Sequence, residues 1–303
     1  MIAATAGAQT SSDWPTFRGP NRDGISKETG LLKEWPEGGP KLLWTAKGIG
    51  KGYSNVTIVG KRIFTMGDLA EADGSQKQYI IALDLATQKR LWTALVGPPH
   101  IDGYGGPRCA PTISGDSAYA IGTGGDLVCV EIATGKERWR KNLQSDLGGG
   151  MMSGWKWAES PLVDGNKVVC TPGGADSLLA ALDKTTGAVI WKTSASNLGS
   201  RGKDGSGYSS IVPATINGVK QYVQMVGRGL VGVDAATGKL LWSYIAPPTT
   251  WRTSARLPSK VTSYSDLQLT TREVAPRKSP QTGRSKFTSS RQTTLPATMA
   301  ALS

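Results

Sequence analysis

Apolar and polar residues alternate in short runs along the chain, and a glycine-containing turn separates successive runs. Four stretches repeat the order of run, turn and run, namely NVTIVGKRIFTMG, APTISGDSAYAIG, SPLVDGNKVVCTPG and VPATINGVKQYVQMVG. Their turn glycines are Gly60, Gly115, Gly165 and Gly218. A period of two indicates half-buried strands, and glycine adopts the positive φ that tight hairpins require. The pattern therefore predicts four β-hairpins and no helices.

A second recurring element follows each hairpin. It has an acid at its third position, a threonine at its sixth and a tryptophan at its last, in the copies ALDLATQKRLW, CVEIATGKERW, ALDKTTGAVIW and GVDAATGKLLW. The acids are Asp84, Glu131, Asp183 and Asp234, and the tryptophans are Trp92, Trp139, Trp191 and Trp242. The copies recur about every 50 residues, a period typical of propellers and solenoids. Trp44, in GGPKLLWTA, carries only the second half of the motif.

Together, the two elements predict a four-stranded antiparallel meander in each repeat. Sheets of this kind repeated along a chain are the blades of a β-propeller, so the predicted fold class is all-β with four recognisable blades. The acid is expected to accept hydrogen bonds from the following backbone and so to be structural rather than catalytic. The tryptophan is expected to fill the wedge between adjacent blades. Gln88 replaces the motif glycine in the first copy, which must tolerate strain or form another turn.

The eleven-residue motif resembles the tryptophan-docking motif of the pyrroloquinoline-quinone (PQQ) type propeller repeat. The leader DWPTFRGPNRDGIS is also similar to the start of such proteins. The resemblance implies a propeller of seven or eight blades, of which this chain would hold a truncated set. It also implies one of two functions. The quinoprotein alcohol dehydrogenases hold PQQ and calcium in the propeller's centre, whereas the branch similar to the outer-membrane protein assembly lipoprotein is a non-catalytic scaffold.

Two departures from the dehydrogenase pattern weigh against redox chemistry. That branch carries two adjacent cysteines, whereas Cys109, Cys129 and Cys170 lie far apart. They are expected to be small buried hydrophobes, with one disulfide between non-adjacent cysteines as the alternative. Its calcium ligands and catalytic aspartate find no matching positions here. His100 is the only histidine, which excludes a multi-histidine metal site, and its loop predicts that it is solvated. We therefore predict no cofactor and no metal, with PQQ and calcium only under the dehydrogenase alternative.

The chain divides into four predicted regions. Residues 1–12 are expected to be a signal-peptide remnant, because Ala6-Gly7-Ala8 resembles a signal-peptidase site, or else an ordinary disordered N-terminus. A leader strap covers 13–43 and the blades cover 44–245, with a strand around Trp44 expected to complete the last blade. Residues 246–303, rich in Ser, Thr and Arg, are expected to be a disordered extension or a frameshifted continuation of the repeats.

The formal charge of +12 suggests an anionic partner such as nucleic acid. However, residues 251–303 contain 9 Lys/Arg and only 2 Asp/Glu, so the basicity sits largely outside the blades. We predict no nucleic-acid partner. No stretch reaches the roughly 18 apolar residues of a membrane span.

A candidate binding surface comes from a Gly-aromatic step before the first strand of each repeat. These aromatic residues recur about every 50 residues and should form a ring at the propeller funnel. The predicted funnel set is Tyr53, Tyr104, Trp155 and Tyr208, with Arg108, Trp157, Glu159, Arg201 and Lys203 around them. The alternative is that the aromatic residues merely plug the channel mouth.

The sequence therefore favours a non-catalytic, exported propeller, periplasmic or secreted. It would act as a binding or scaffold module for a protein or a cell-envelope polymer. A PQQ- and calcium-dependent oxidoreductase is the alternative.

Overall fold

A computed structural model of the protein describes residues 13–196, 198–199, 202–245 and 300–301. The predicted region 1–12 and, within the predicted tail 246–303, residues 246–299 and 302–303 lie outside the described residues. The strands are β1 Thr57–Val59, β2 Arg62–Ala70, β3 Gln76–Asp84, β4 Arg90–Gly97, β5 Thr112–Ser114, β6 Ser117–Ile121, β7 Asp126–Glu131, β8 Glu137–Asn142, β9 Leu162–Asp164, β10 Lys167–Cys170, β11 Ala180–Asp183, β12 Val189–Lys192, β13 Val212–Ile216, β14 Val219–Val226, β15 Gly229–Asp234, β16 Leu240–Ile245 and β17 Ala300–Ala301.

The strands form four antiparallel sheets, each built from four consecutive strands. We call them blades A to D in chain order, and β17 pairs with the outer strand of blade D. Every described element is a strand, turn or loop, which confirms the predicted all-β propeller fold. Among the described residues, no strand pairing joins blade D to blade A. No helix in the described part of the chain could cross a membrane.

The chain direction gives the assembly two faces. The hairpin turns between the first and second strands lie on the same face as the acid-Thr-Gly turns, and we call this the turn face. The loops that lead into each first strand lie on the opposite face, which we call the loop face. The four hairpin glycines have φ between 57° and 78°, the positive values that the sequence predicted.

Each motif acid forms its predicted local turn. In blade C, Asp183 Oδ1 accepts hydrogen bonds from the backbone N–H groups of Thr185 and Thr186, both at 2.9 Å, and from Thr186 Oγ1 at 3.0 Å. These hydrogen bonds lower the pKa of the Asp183 carboxyl. Glu131 is one methylene longer and its carboxylate accepts a bond from Thr134 Oγ1 at 2.7 Å. A β-bulge precedes the acid in every blade, so the irregularity belongs to the repeat.

Three tryptophans lie between their own blade and the next. The Trp92 indole N–H donates to Ile132 O at 3.1 Å, and that of Trp139 donates to Lys184 O at 3.0 Å. Each ring covers the motif glycine of the following blade. A Cβ would lie 2.6 Å from Trp92 at Gly135, 2.8 Å from Trp139 at Gly187 and 2.6 Å from Trp191 at Gly238. The motif glycine is therefore required for close approach of the tryptophan as well as for its positive φ.

Trp242 differs from this arrangement and corrects the prediction for the fourth copy. Its ring lies over Gly232 of its own sheet, where a Cβ would be only 2.0 Å away. Its indole N–H donates to Gln221 Oε1 of the same blade at 2.7 Å. The equivalent cross-strand partners in the other blades carry a side chain, whereas Gly232 leaves room for the ring.

Gln88 shows why the first motif can lack its glycine. It forms the same turn with φ 57°, and its side-chain amide donates to Leu85 O and Ala86 O at 2.8 and 3.0 Å.

Trp44, the preceding tryptophan in the chain, is 45% exposed and belongs to no described strand. The expected strand around Trp44 is therefore not present, and blade A begins at Thr57.

Residues 13–24 cross the inner strands of three blades. Trp14 pairs with Ile58 of β1, and Pro15 O accepts a hydrogen bond from Ile113 N of β5 at 2.8 Å. Buried Arg22 donates to Ser160 O at 2.7 Å and to Pro161 O at 3.0 Å, just before β9. Because the first strands of adjacent blades meet at a propeller's centre, this strap occupies the axial side of blades A to C.

The apolar core lies between the sheets of adjacent blades. One buried cluster runs continuously through blades A, B and C and includes Phe64, Tyr119 and Val168. A second cluster joins blade C to blade D and includes Trp191 and Tyr222. Each pair of adjacent blades therefore shares a buried cluster, which fixes the positions of the loops on the loop face.

Candidate functional site

The aromatic residues of the Gly-aromatic steps lie in one row on the loop face. Ring centroids are 6.2 Å apart between Tyr53 and Tyr104, 6.3 Å between Tyr104 and Trp155, and 6.2 Å between Trp155 and Tyr208. The ring planes are inclined by 45° to 72°, the edge-to-face and tilted packing that aromatic pairs prefer. We call these four residues the aromatic arc, and each comes from a different blade.

Three of the four rings of the aromatic arc are largely exposed. Tyr53 is 55% exposed, Tyr104 65% and Trp155 47%, and Tyr208 is partly buried. A ring that only plugged the channel mouth would bury most of its surface. The exposed ring faces instead offer apolar area that a partner could cover.

Arg108 joins two of the loops that carry the aromatic arc. Its guanidinium donates to Tyr104 O at 2.5 Å and to Trp155 O at 3.2 Å. A planar guanidinium can reach two carbonyls at once, so Arg108 fixes the two loops relative to each other. At the other end of the arc, the hydroxyl groups of Ser153 and Tyr208 form a hydrogen bond. The loop that carries Trp155 is therefore bonded to the loop of Tyr104 through Arg108 and to Tyr208 through Ser153.

Lys203 is exposed and lies beside a cleft between blades C and D. The cleft has a volume of about 320 Å³ and is lined by residues of 173–178, 194–198 and 203–205, with Val226 and Arg228. On its wall the Arg228 guanidinium forms an ion pair with the carboxylate of Asp204 and donates to Gly199 O at 2.7 Å. Arg201, also predicted for the funnel, lies outside the described residues.

Two predicted funnel residues are buried below the aromatic arc, which corrects the sequence prediction. Trp157 is 4% exposed and packs against Gly125 and Leu143 in the blade core. Trp157 is buried while Trp155 is exposed because Lys156, between them, adopts the left-handed conformation with φ 66°. This residue turns the chain so that Trp155 faces solvent while Trp157 points inward.

Glu159 is the second buried residue, at 1% exposure. Its carboxylate accepts hydrogen bonds from Thr171 N at 2.8 Å and Thr171 Oγ1 at 3.1 Å. Burial raises the pKa of this carboxyl to about 8, against the attraction of Arg22. Burial likewise lowers the pKa of Arg22 to about 10. Sequence analysis missed Arg22, because nothing in PNRDG distinguishes it from a solvated turn arginine.

His100 is also buried rather than solvated, at 7% exposure. Burial lowers the pKa of its imidazole, and the charge of Arg108 acts in the same direction.

The three cysteines are unpaired and buried, which confirms that they are small hydrophobic core residues.

The sequence of residues 76–263 matches the profile of the family described as outer membrane protein assembly factor BamB. The chain belongs to this family. No curated protein sequence matches it.

Solved structures similar to this BamB-family chain include an alcohol dehydrogenase and a BamB protein. A quinohemoprotein alcohol dehydrogenase from Comamonas testosteroni aligns with a TM-score of 0.53 at 19% identity, covering 84% of this chain and 44% of the dehydrogenase. BamB from Moraxella catarrhalis aligns with a TM-score of 0.42 at 15% identity, covering 68% of this chain and 65% of that protein. The chain thus spans less than half of the dehydrogenase, and identities this low show the fold alone.

The dehydrogenase alternative would require a calcium site built from oxygen ligands in this BamB-family chain. Calcium in proteins takes about six to eight oxygen ligands, usually several carboxylates. Among the described residues, no group of three or more His, Cys, Asp or Glu side chains could hold a metal ion. One buried carboxylate near the strap, that of Glu159, is already bonded to Thr171 and interacts with the charge of Arg22.

Proposed function

We propose that this chain is a non-catalytic binding module that holds a segment of a protein partner against its aromatic arc. The observation that carries the proposal is the row of four rings, each in contact with its neighbour, of which three are about half exposed or more. Tyrosine and tryptophan bury large areas at low conformational cost, which suits them to recognition surfaces. The family's description as an assembly factor supports a protein partner over another envelope polymer.

The groups beside the aromatic arc also suit binding rather than catalysis. Arg108 is committed to two backbone carbonyls, and the Ser153 and Tyr208 hydroxyls bond to each other. The motif acids lie on the opposite, turn face, where they fix the acid-Thr-Gly turns. We further propose that the protein is exported and works in the periplasm or outside the cell, because its family acts on outer-membrane proteins.

The experiment measures binding of a permanently unfolded protein to the full chain. Reduced, carboxymethylated α-lactalbumin labelled with fluorescein is titrated with wild-type protein, and anisotropy is recorded. A Tyr104→Ala/Trp155→Ala double variant should lose about tenfold or more in affinity, since central aromatic residues dominate such interfaces. Trp35→Ala is the matched control, because Trp35 is 71% exposed but lies outside the arc. Equal binding by the wild type and the double variant would refute the proposal.

The PQQ-dependent dehydrogenase alternative is tested on the same preparation. PQQ and calcium are added, and quinone absorbance is followed after gel filtration. We expect the quinone to elute separately from the protein. Co-elution of PQQ that depends on calcium would favour the dehydrogenase branch.

A further inference from the structure

We propose that the segment held by the aromatic arc is an extended, acidic polypeptide with apolar side chains at alternate positions. This inference rests on the proposed binding function and adds the chemistry of the partner. It is carried by the spacing of the rings, by the hydrogen bonds already formed by the arc backbone, and by the charges of the loops around it.

The ring spacing matches the repeat of an extended chain. Neighbouring centroids of the aromatic arc are 6.2 to 6.3 Å apart over three successive steps. An extended polypeptide rises about 3.2–3.4 Å per residue, so side chains on one face recur about every 6.4–6.8 Å. An apolar side chain at every second position can therefore meet one ring after another without stretching the chain.

The arc offers its side chains rather than its backbone. Tyr53 N donates to Pro107 O at 2.8 Å, and the carbonyls of Tyr104 and Trp155 accept from Arg108. These backbone groups already have partners, so strand addition, which needs an open row of backbone groups, does not fit here. Recognition through ring faces selects the spacing of apolar side chains in the ligand.

The loops that carry the arc hold more cations than exposed carboxylates. Their described residues include the cations Lys51, Arg108, Lys156 and Lys203. The exposed carboxylates in these loops are Asp102, Asp146 and Asp204, of which Asp146 accepts a hydrogen bond from Asn142 N and Asp204 is paired with Arg228. A surface with this imbalance attracts an acidic chain and repels a basic one.

Lys156 is the cation that lies next to an arc residue in the sequence. It directly follows Trp155, is exposed, and adopts φ 66°, a conformation uncommon for a residue with a side chain. That conformation separates exposed Trp155 from buried Trp157 and leaves the Lys156 side chain on the loop face. A carboxylate between two apolar contacts of the ligand would meet this ammonium group.

The test compares fluorescein-labelled octapeptides by anisotropy with the full chain. The matching peptide alternates Glu and Leu, a second alternates Lys and Leu, and a third has the Glu-Leu composition with its leucines consecutive. An oligogalacturonate serves as an acidic carbohydrate competitor. We expect the alternating acidic peptide to bind at least about tenfold more tightly than either other peptide, and its affinity to fall with salt.

Two variants connect the preference to the arc. Lys156→Glu should reduce binding of the acidic peptide and weaken its salt dependence, whereas Lys239→Glu, at an exposed position on the turn face, should change neither. Equal binding of the acidic, basic and consecutive-leucine peptides would overturn this inference and leave the proposed function standing. Displacement of unfolded protein by the oligogalacturonate, with no peptide binding, would overturn the inference in favour of a carbohydrate ligand. Absence of binding by both peptides and unfolded protein would overturn the proposed function as well.

Discussion

Replacing Gly238 by alanine tests the role of the motif glycine in joining blades. Gly238 has φ 76°, and an alanine Cβ there would lie 2.6 Å from the Trp191 indole. The left-handed conformation costs a residue with a Cβ about 1–2 kcal/mol. Displacing the packed ring adds about 1–3 kcal/mol, as in other overpacked cores. We therefore expect Gly238→Ala to lower the free energy of unfolding by about 2–5 kcal/mol.

Gly165→Ala separates the two contributions. Gly165 also has a positive φ, 60°, but a Cβ there would meet nothing within 4 Å. Its substitution should cost only the conformational part, about 1–2 kcal/mol. The assay is urea unfolding followed by tryptophan fluorescence, with midpoints and slopes compared for both variants and the wild type. Equal destabilisation by the two substitutions would refute the claim that the glycine is required by the tryptophan wedge.

Three further predictions concern buried polar groups and the motif turns. Because burial raises the pKa of Glu159 from 4.5 to about 8, the folded state holds a proton that the unfolded state releases. The free energy of unfolding should therefore fall as pH rises from about 5 to 8. Glu159→Gln should flatten this decline in melting temperatures measured across the same pH range. Tyr119→Phe removes the hydroxyl bond to Lys184 O and should cost about 1 kcal/mol in urea unfolding, without a change in the unfolding slope. Asp183→Ala should lower the melting temperature more than Glu131→Ala, because the Asp183 carboxylate accepts three hydrogen bonds where a single bond from Thr134 is seen for Glu131. Since the pKa of Asp183 is lowered, the difference between the two variants should disappear as pH falls below about 4. Equal losses at neutral pH would contradict this account.

The fold was predictable because its determinants are local and repeated. Alternation, turn glycines and the acid-Thr-Gly turn each act within a few residues, so four copies in register sufficed to predict blades. The position of the aromatic residues followed from the same register. Gln88 was expected either to tolerate strain or to form another turn, and it keeps the same turn at φ 57°. The preceding tryptophan, Trp44, is 45% exposed.

The remaining features depend on single residues or distant contacts. Trp155 and Trp157 are two positions apart, yet the left-handed Lys156 sends one to solvent and the other to the core. Trp242 follows its motif in sequence, but its ring folds over Gly232 because that position has no side chain. The burial of Arg22 depends on the path of the leader across three blades, which no local pattern encodes.

The central claim, that the aromatic arc on the loop face holds a polypeptide, is tested most directly by site-specific photo-crosslinking. Benzoylphenylalanine is placed at Tyr104 in the arc and, as a control, at Lys239 on the turn face. Each full-length protein is irradiated with labelled, permanently unfolded α-lactalbumin. We predict a crosslinked product from position 104 and none from position 239. Crosslinking from position 239 alone, or equally from both positions, would contradict the account.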